Sequence, residues 1–454
     1  MSDTTPLQVT AEIVSFIIKR MCTVKNVIST SFLMPALTRQ TTTCLAAAWL
    51  VIFSLSGCVL PRREAAVPST LTEVVQPLDA QVLRYWPTLD STGIERAVVE
   101  AEKREVDSES NNSLPLPAAS YLALSGGGDG GAFGAGLLVG WSDAGTRPEF
   151  TLVTGISAGA LLAPFAFLGP RYDYVLREVS NQSNASHIYR SRGMLALLTS
   201  DGMNDDVPLR TMIDKYITAD VLDQIAEQYK RGRLLFVGTT DLDMGQPVIW
   251  DMGAIAAEGD AAALRLFRQI ILASAAIPGI FPPVMLDVQW HGQRYQEMHV
   301  DGAVTRQVFL LPPDALEHRL SHSARIHHIY VVRNGRLDNQ WQCTLRRTTA
   351  VAHRAIDTII DQQVMNDVSR LELSAIASGA DFHLAYIGND FAFPHSAMFS
   401  ADYLQHLYEY AHEMAARGHS WSNGLPVPAA ASVQVADSDQ HSSILVQARR
   451  RACS

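Results

Sequence analysis

The sequence predicts an α/β fold with a mainly parallel sheet, on three observations. Short apolar runs of strand character alternate with stretches of helical spacing. Two of those runs end in glycine-rich turns that open at once into helix-like segments, as strand-to-helix crossovers do. The chain has 454 residues, 47% hydrophobic and 18% charged, which is enough apolar material for one large core or two smaller ones.

The front of the chain reads differently from the rest. Residues 44–57, CLAAAWLVIFSLSG, form an uncharged and largely apolar stretch after Arg39. It is short for a bilayer span and suits the apolar region of a signal peptide. Leu55-Ser56-Gly57-Cys58 resembles the lipobox of bacterial lipoproteins, where cleavage before the cysteine leaves it carrying acyl chains. The expectation is an export segment over 1–57, with Met34 as an alternative start, and lipidation at Cys58. Val59, standing where a retention signal would place Asp, implies a lipid-anchored protein of the bacterial cell envelope, at the outer membrane if the host has one. The formal net charge is -10, so anionic headgroups repel the body and acyl chains would do the anchoring. Residues 58–117 mix Pro, acidic and helix-forming residues and read as a tether with one or two short helices.

From 118 to about 424 the texture is that of one α/β domain. Tyr121 to Ser125 and Phe150 to Thr154 read as strands, and Ala135 to Trp141 as a helix between them. Strands are also expected at 233–240, 247–250 and 327–332, with a helix over 261–276. From Leu345 to Ala375, apolar residues including Ile356, Ile359, Val364 and Val368 recur at helical spacing, which predicts one long or two consecutive helices packed on the sheet. Residues 425–454 show no periodicity and read as a disordered tail.

The acidic balance, with pI about 5.8, carries no basic surface for nucleic acid. Five cysteines show neither metal nor redox spacing, so no sulfur chemistry is expected in the folded body.

The chemistry lies at the two glycine turns. Gly155-Ile156-Ser157-Ala158-Gly159 stands between an apolar run and Ala160-Leu-Leu-Ala163, the context of a nucleophile elbow. A serine on such a turn projects its Oγ off the sheet, and the helix that follows favours negative charge. Upstream, Ser125-Gly126-Gly127-Gly128-Asp129-Gly130-Gly131 offers convergent backbone N–H groups, which acyl transfer needs for its oxyanion; one lost donor typically costs ~10²-fold or more in rate. The same cluster satisfies a dinucleotide fingerprint at Gly126, Gly128 and Gly131, but that fingerprint wants an acidic residue at the end of the next strand. Glu149 precedes that strand, whose end is Gly155-Ile-Ser157.

A serine needs a base. Eleven histidines follow residue 301, so a Ser-Asp-His triad stays open on order alone. The other choice is an Asp that takes the proton directly. Asp301-Gly302 closes the run Tyr295 to Val300 and leaves a carboxylate at a strand end; Asp129-Gly130 and Asp201-Gly202 lie within loops.

The Gly126-Gly127-Gly128 loop, the Gly155 to Gly159 elbow, the segment from Ala273 to Pro283 and Asp301-Gly302-Ala303 stand in the order and approximate spacing of the patatin-like phospholipases, which this sequence resembles over about 118–340. The resemblance implies a three-layer α/β/α sandwich with a mainly parallel central sheet. It implies a Ser-Asp dyad, Ser157 as nucleophile and Asp301 as base, with Gly126, Gly127, Gly128 and Asp129 around the oxyanion and Gly155, Ala158 and Gly159 shaping the elbow. The implied substrate is a phospholipid or other acyl-ester lipid, with no metal and no cofactor. Members often carry Arg where this chain has Gly130. The rival readings are the α/β-hydrolase triad and an envelope scaffold without activity. Asp241 and Asp243 have no His or Glu partner nearby in sequence, and Phe281 is a candidate acyl-pocket residue.

Overall fold

The computed structural model describes residues 63–72, 75–77, 83–89, 92–108, 117–182, 190–191, 201–321, 325–338, 343–395 and 397–426. All of them belong to one compact unit, 61–454. The export segment, Cys58 and the tail beyond residue 426 lie outside the described residues. No helix among the described residues is long and apolar enough to cross a membrane.

The elements alternate as the sequence predicts. In chain order they are β1 Arg84–Tyr85, α1 Thr92–Ser108, β2 Ala119–Leu124, α2 Gly131–Asp143, β3 Leu152–Gly155, α3 Ala158–Leu168 and α4 Asp173–Gln182. A small ribbon of β4 Arg190–Ser191 and β5 Asn204–Asp205 leads to α5 Val207–Tyr216 and α6 Ala219–Lys230. Then come β6 Leu234–Asp241, β7 Gln246–Asp251, α7 Met252–Glu258, α8 Ala261–Ser274, β8 Val284–Trp290 and β9 Gln293–Asp301. The chain continues through α9 Pro313–Ser321, β10 His327–Arg333, α10 Thr348–Ser378, β11 Asp381–Tyr386 and α11 Ala401–Ala416.

The main sheet runs β1-β7-β6-β3-β2-β10-β11, parallel from β6 through β11 and antiparallel at β7 and β1. It is buried on both faces, as parallel sheets are. In β2, Leu122 and Leu124 join the core with α2, α3, α8 and α11, while Tyr121 and Ala123 join the core with α1, α9 and α10. Three layers follow from that alternation.

One register decides where the site forms. β3 pairs with β6 only up to Gly155 opposite Val237, and β9 pairs with β6 from Thr239 opposite Asp301. Since β7 occupies the other edge of β6 there, β9 takes over the edge that β3 vacates. The hairpin that returns it turns at His291 and Gly292, φ 49° and 79°, joining Trp290 to Gln293 in the two-residue form that suits twisted strands.

The stretch expected as a tether is in part built into the fold. β1 extends the sheet, Val75 packs with Val288 and Tyr295, and Ile94, Val98 and Ala101 of α1 enter the core. Among the described residues of that stretch are a two-residue edge strand and a helix with a single apolar stripe. The long helix α10 also departs from expectation. Val364, Val368, Leu371 and Ala375 in its second half are buried, but Ile356 and Ile359 in its first half are exposed, as is Leu345 ahead of the helix. Cys343 is disulfide-bonded, where the cysteine spacing led to no expectation of sulfur chemistry.

Candidate active site

β3 ends at Gly155, and two residues later Ser157 turns with φ 54° and ψ −122°, a conformation rare for a residue with a side chain. The elbow glycines are set by close approach: a Cβ on Gly159 would lie 2.3 Å from the carbonyl oxygen of Leu124. Ala158 and Gly159 begin α3 directly. The strained turn is held by Ser274, whose Oγ accepts the Ser157 N–H at 3.0 Å and donates to Gly238 O at 2.7 Å.

Ser157 Oγ donates to Asp301 Oδ2 at 2.6 Å, and both residues are buried. The other oxygen of Asp301 accepts the N–H of Ala303 at 2.8 Å. Burial pushes the Asp301 carboxyl up to about 7, against the opposing pull of the Ser157 and Ala303 hydrogen bonds. A carboxylate so placed is poised to exchange a proton near neutrality.

The glycine loop closes the third side. Gly126 lies against Ser157, so close that a Cβ on it would stand 3.3 Å from that of Ser157. Its own N–H donates to Gln307 O at 3.0 Å, which removes Gly126 from the donors expected to face an oxyanion. Gly128 to Gly130 form a 3₁₀ turn before α2, and helical geometry leaves the first N–H groups of such a turn without internal partners. Gly127, Gly128 and Asp129 are therefore the loop residues with donors to offer.

The loop is braced from the end of β10, by residues the sequence reading passed over. Arg333 donates to Gly126 O at 2.8 Å. Asn334 donates through its N–H to Ser125 Oγ at 2.9 Å and through Nδ2 to Ser125 O at 2.7 Å. The Asp129 carboxylate is taken by His395 Nε2 at 2.6 Å and the N–H of Phe399 at 3.2 Å. A polar pair closing an apolar strand, Arg333-Asn334, was the available signal. At Gly130 there is no room for a side chain such as arginine: a Cβ there would meet Asn334 O at 2.2 Å.

Ser157 opens into an apolar pocket of about 680 Å³, counting its open mouth, lined by Gly128 and Asp129 at one side and by Leu161, Met212, Phe281 and Leu404 among others. The segment 273–283 contributes Ala275, Ile277 and Phe281 to that wall.

The remaining candidates fall elsewhere. Among the described residues no histidine bonds the Ser157 hydroxyl; His412 bonds Asp143 and His327 bonds Tyr121. Asp241 does meet Glu297 and His299, all buried, within metal-binding distance of one another. Several of their atoms are already engaged within the protein. Glu297 is paired with Arg84, Asp241 Oδ1 accepts the N–H groups of Asp243 and Met244, and His299 Nδ1 lies 3.0 Å from Thr239 Oγ1, itself an acceptor from Trp250 Nε1. The strand pairing of β6 with β9 creates this cluster, so the sequence neighbours of Asp241 could not reveal it.

Residues 122–313 match the family model for patatin-like phospholipases. No curated protein matches the chain in sequence. Among solved structures, VipD from Legionella pneumophila is similar at 12% identity and a TM-score of 0.29, over 67% of this chain and 67% of that one. The type III effector ExoU is similar at 15% identity and a TM-score of 0.26, over 67% of this chain and 53% of that one. Human GIVD cytosolic phospholipase A2 is similar at 11% identity and a TM-score of 0.26, over 69% of this chain and 53% of that one.

Proposed function

We propose, from the patatin-like phospholipase domain that the chain carries over residues 122–313, that this protein is a serine acyl hydrolase acting on lipid acyl esters through Ser157 and Asp301. The observation that carries the reading is the 2.6 Å hydrogen bond from Ser157 Oγ to Asp301 Oδ2 beside an apolar pocket.

The chemistry follows from those positions. Ser157 Oγ attacks the ester carbonyl carbon as its proton passes to Asp301 Oδ2, and the carbonyl electron pair moves onto oxygen. N–H groups of Gly127, Gly128 and Asp129 stabilise that oxyanion, helped by the N-terminus of α3. Collapse breaks the bond to the alcohol oxygen, which leaves with the proton from Asp301, and Ser157 keeps the acyl group. Water then attacks the acyl carbon, again giving its proton to Asp301; collapse breaks the bond to Ser157 Oγ, which takes that proton back as the fatty acid leaves. An acid whose pKa lies near 7 can both accept and return the proton at neutral pH.

Treating the purified protein with a fluorophosphonate probe and measuring intact mass tests the reading. One adduct is expected on the unaltered chain and none on Ser157→Ala. An unlabelled, correctly folded chain would overturn it in favour of a scaffold. Attachment to the cell envelope through acylated Cys58 is a further part of the proposal, supported by the lipobox-like sequence alone. Mass spectrometry of the cellular protein should find the chain beginning at an acylated Cys58; an unmodified cysteine there would remove the anchor.

A further inference from the structure

The apolar space at Ser157 does not end with the pocket that opens there. A second compartment of about 390 Å³, counting its open side, lies against it, and Leu161, Leu162, Val179 and Met212 line both. Three helices independently give the direction from one to the other. Along α3 the outer pocket touches Ala158 and the inner one reaches Phe165; along α4 they touch Ser180 and Val175; along α5, Leu209 and Tyr216. Ser157 sits at the start of α3, and seven helical residues rise about 10 Å. The inner compartment therefore carries the apolar space about that much farther from the nucleophile.

Its lining is hydrocarbon. Tyr216 is the one lining residue with a polar side-chain atom, and that hydroxyl accepts a hydrogen bond from Lys215 Nζ at 3.0 Å. A polar group entering would lose water and find no partner, whereas methylenes would gain by leaving water. Met212 is half-buried at the neck between the compartments, and an unbranched thioether side chain there can rearrange to fit what passes it.

We infer that the inner compartment receives the distal part of a long, unbranched acyl chain whose carbonyl lies at Ser157, and that Met212 sets the chain-length preference. This deepens the acyl-hydrolase reading and rests on it.

The test compares p-nitrophenyl palmitate with p-nitrophenyl butyrate on the full chain. Met212→Trp fills the neck and should lower the palmitate-to-butyrate ratio of kcat/KM at least ~10-fold, the scale on which an apolar pocket discriminates by size. Met212→Ala should leave that ratio unchanged or raise it. A folded Met212→Trp protein with its ratio within about twofold of the unaltered chain overturns the inference. If Met212→Trp does not fold, Tyr216→Trp at the far end should lower the ratio of palmitate to octanoate hydrolysis, and an unchanged ratio is again decisive against it. Calorimetric titration of Ser157→Ala protein with palmitate separates the two readings. Palmitate binding that Met212→Trp weakens at least ~10-fold, where the unaltered chain hydrolyses neither ester, overturns the hydrolase and keeps the compartment. Neither binding nor hydrolysis overturns both.

Discussion

Ser157 and Asp301 stand 144 positions apart in the chain, yet the hydroxyl of one lies 2.6 Å from the carboxylate of the other. The meeting is a consequence of strand registry. β3 stops at Gly155, β9 occupies the vacated edge of β6 with His299 to Asp301, and the turn that carries Ser157 and the returning hairpin thus share one corner of the sheet. No third side chain stands between the hydroxyl and the carboxylate.

Activity should follow the ionisation of Asp301. Burial pushes its carboxyl up to about 7, so kcat/KM should rise with pH through about 7 and then level off. Stability should run the other way. The folded-state pKa is raised, so the folded form binds a proton that the unfolded form has already lost above about pH 4. The contribution is intact below the unfolded value and is lost as pH rises through about 7. Asp301→Asn keeps an acceptor for the Ala303 N–H and carries no charge to bury. At pH 8 it should lower activity by about 10²-fold or more and raise unfolding free energy by on the order of 2 kcal/mol. Urea unfolding at pH 5 and pH 8 checks the second part; an equal effect at both pH values would refute it.

Two adjacent glycines should respond differently. A Cβ on Gly127 would lie 1.8 Å from the backbone oxygen of Asn334, which cannot move without displacing the end of β10. Gly128 has open space around its missing Cβ and only a left-handed backbone, φ 56°, to maintain. Gly127→Ala should cost about 3 kcal/mol or more and abolish hydrolysis, while Gly128→Ala should cost about 1–2 kcal/mol. Thermal unfolding of the two variants, with comparable losses in both, would contradict this.

Much of this site is local in sequence, and that part was legible. A G-x-S-x-G pentapeptide, a glycine run and an Asp-Gly pair each mark the end of a strand; the first two lie at the same end of the parallel sheet, and antiparallel β9 brings the third to meet them. What supports them is not local. Ser274 is a serine at the end of an apolar helix, Arg333 ends β10 and Asn334 follows it, and His395 sits in a loop; each acts across the fold on a partner that its own neighbours do not identify. The first half of α10 has the apolar spacing of a buried helix and leaves Ile356 and Ile359 exposed. Periodicity shows which residues share a face and does not show whether anything packs against that face.

Ser274 offers a test of the elbow's support. Its hydroxyl links the Ser157 N–H to Gly238 O and is fully buried. Ser274→Ala should leave a buried donor and a buried acceptor unsatisfied, costing about 1–3 kcal/mol. The turn at Ser157 would then relax, so kcat should fall by about 10-fold or more with KM less affected, because positioning is lost rather than substrate contact. Ser274→Thr keeps the hydroxyl and should recover part of kcat. A variant with normal kcat and reduced stability would reduce Ser274 to a structural role.

Arg84 shows how a segment that reads as a tether can hold the domain together. Its guanidinium, fully buried, donates to both carboxylate oxygens of Glu297, the second at 2.9 Å, and to Val75 O at 2.8 Å. Glu297 lies on β9, four residues before Asp301. Burial pushes the Glu297 carboxyl up, but Arg84 and His299 together outweigh it and bring the group down to about 2. Its folded pKa is depressed, so its contribution is present above about pH 4 and fades as pH falls toward 2. Arg84→Met should leave Glu297 charged and unpaired in the core, at a cost of about 3–5 kcal/mol, and Arg84→Met with Glu297→Leu should recover much of it. The exposed pair Lys103–Glu100 supplies the contrast, since Lys103→Ala should shift the unfolding midpoint by nothing measurable. Urea titrations of the three variants decide the matter: an Arg84→Met chain as stable as the unaltered one would show that β1 is dispensable to the domain.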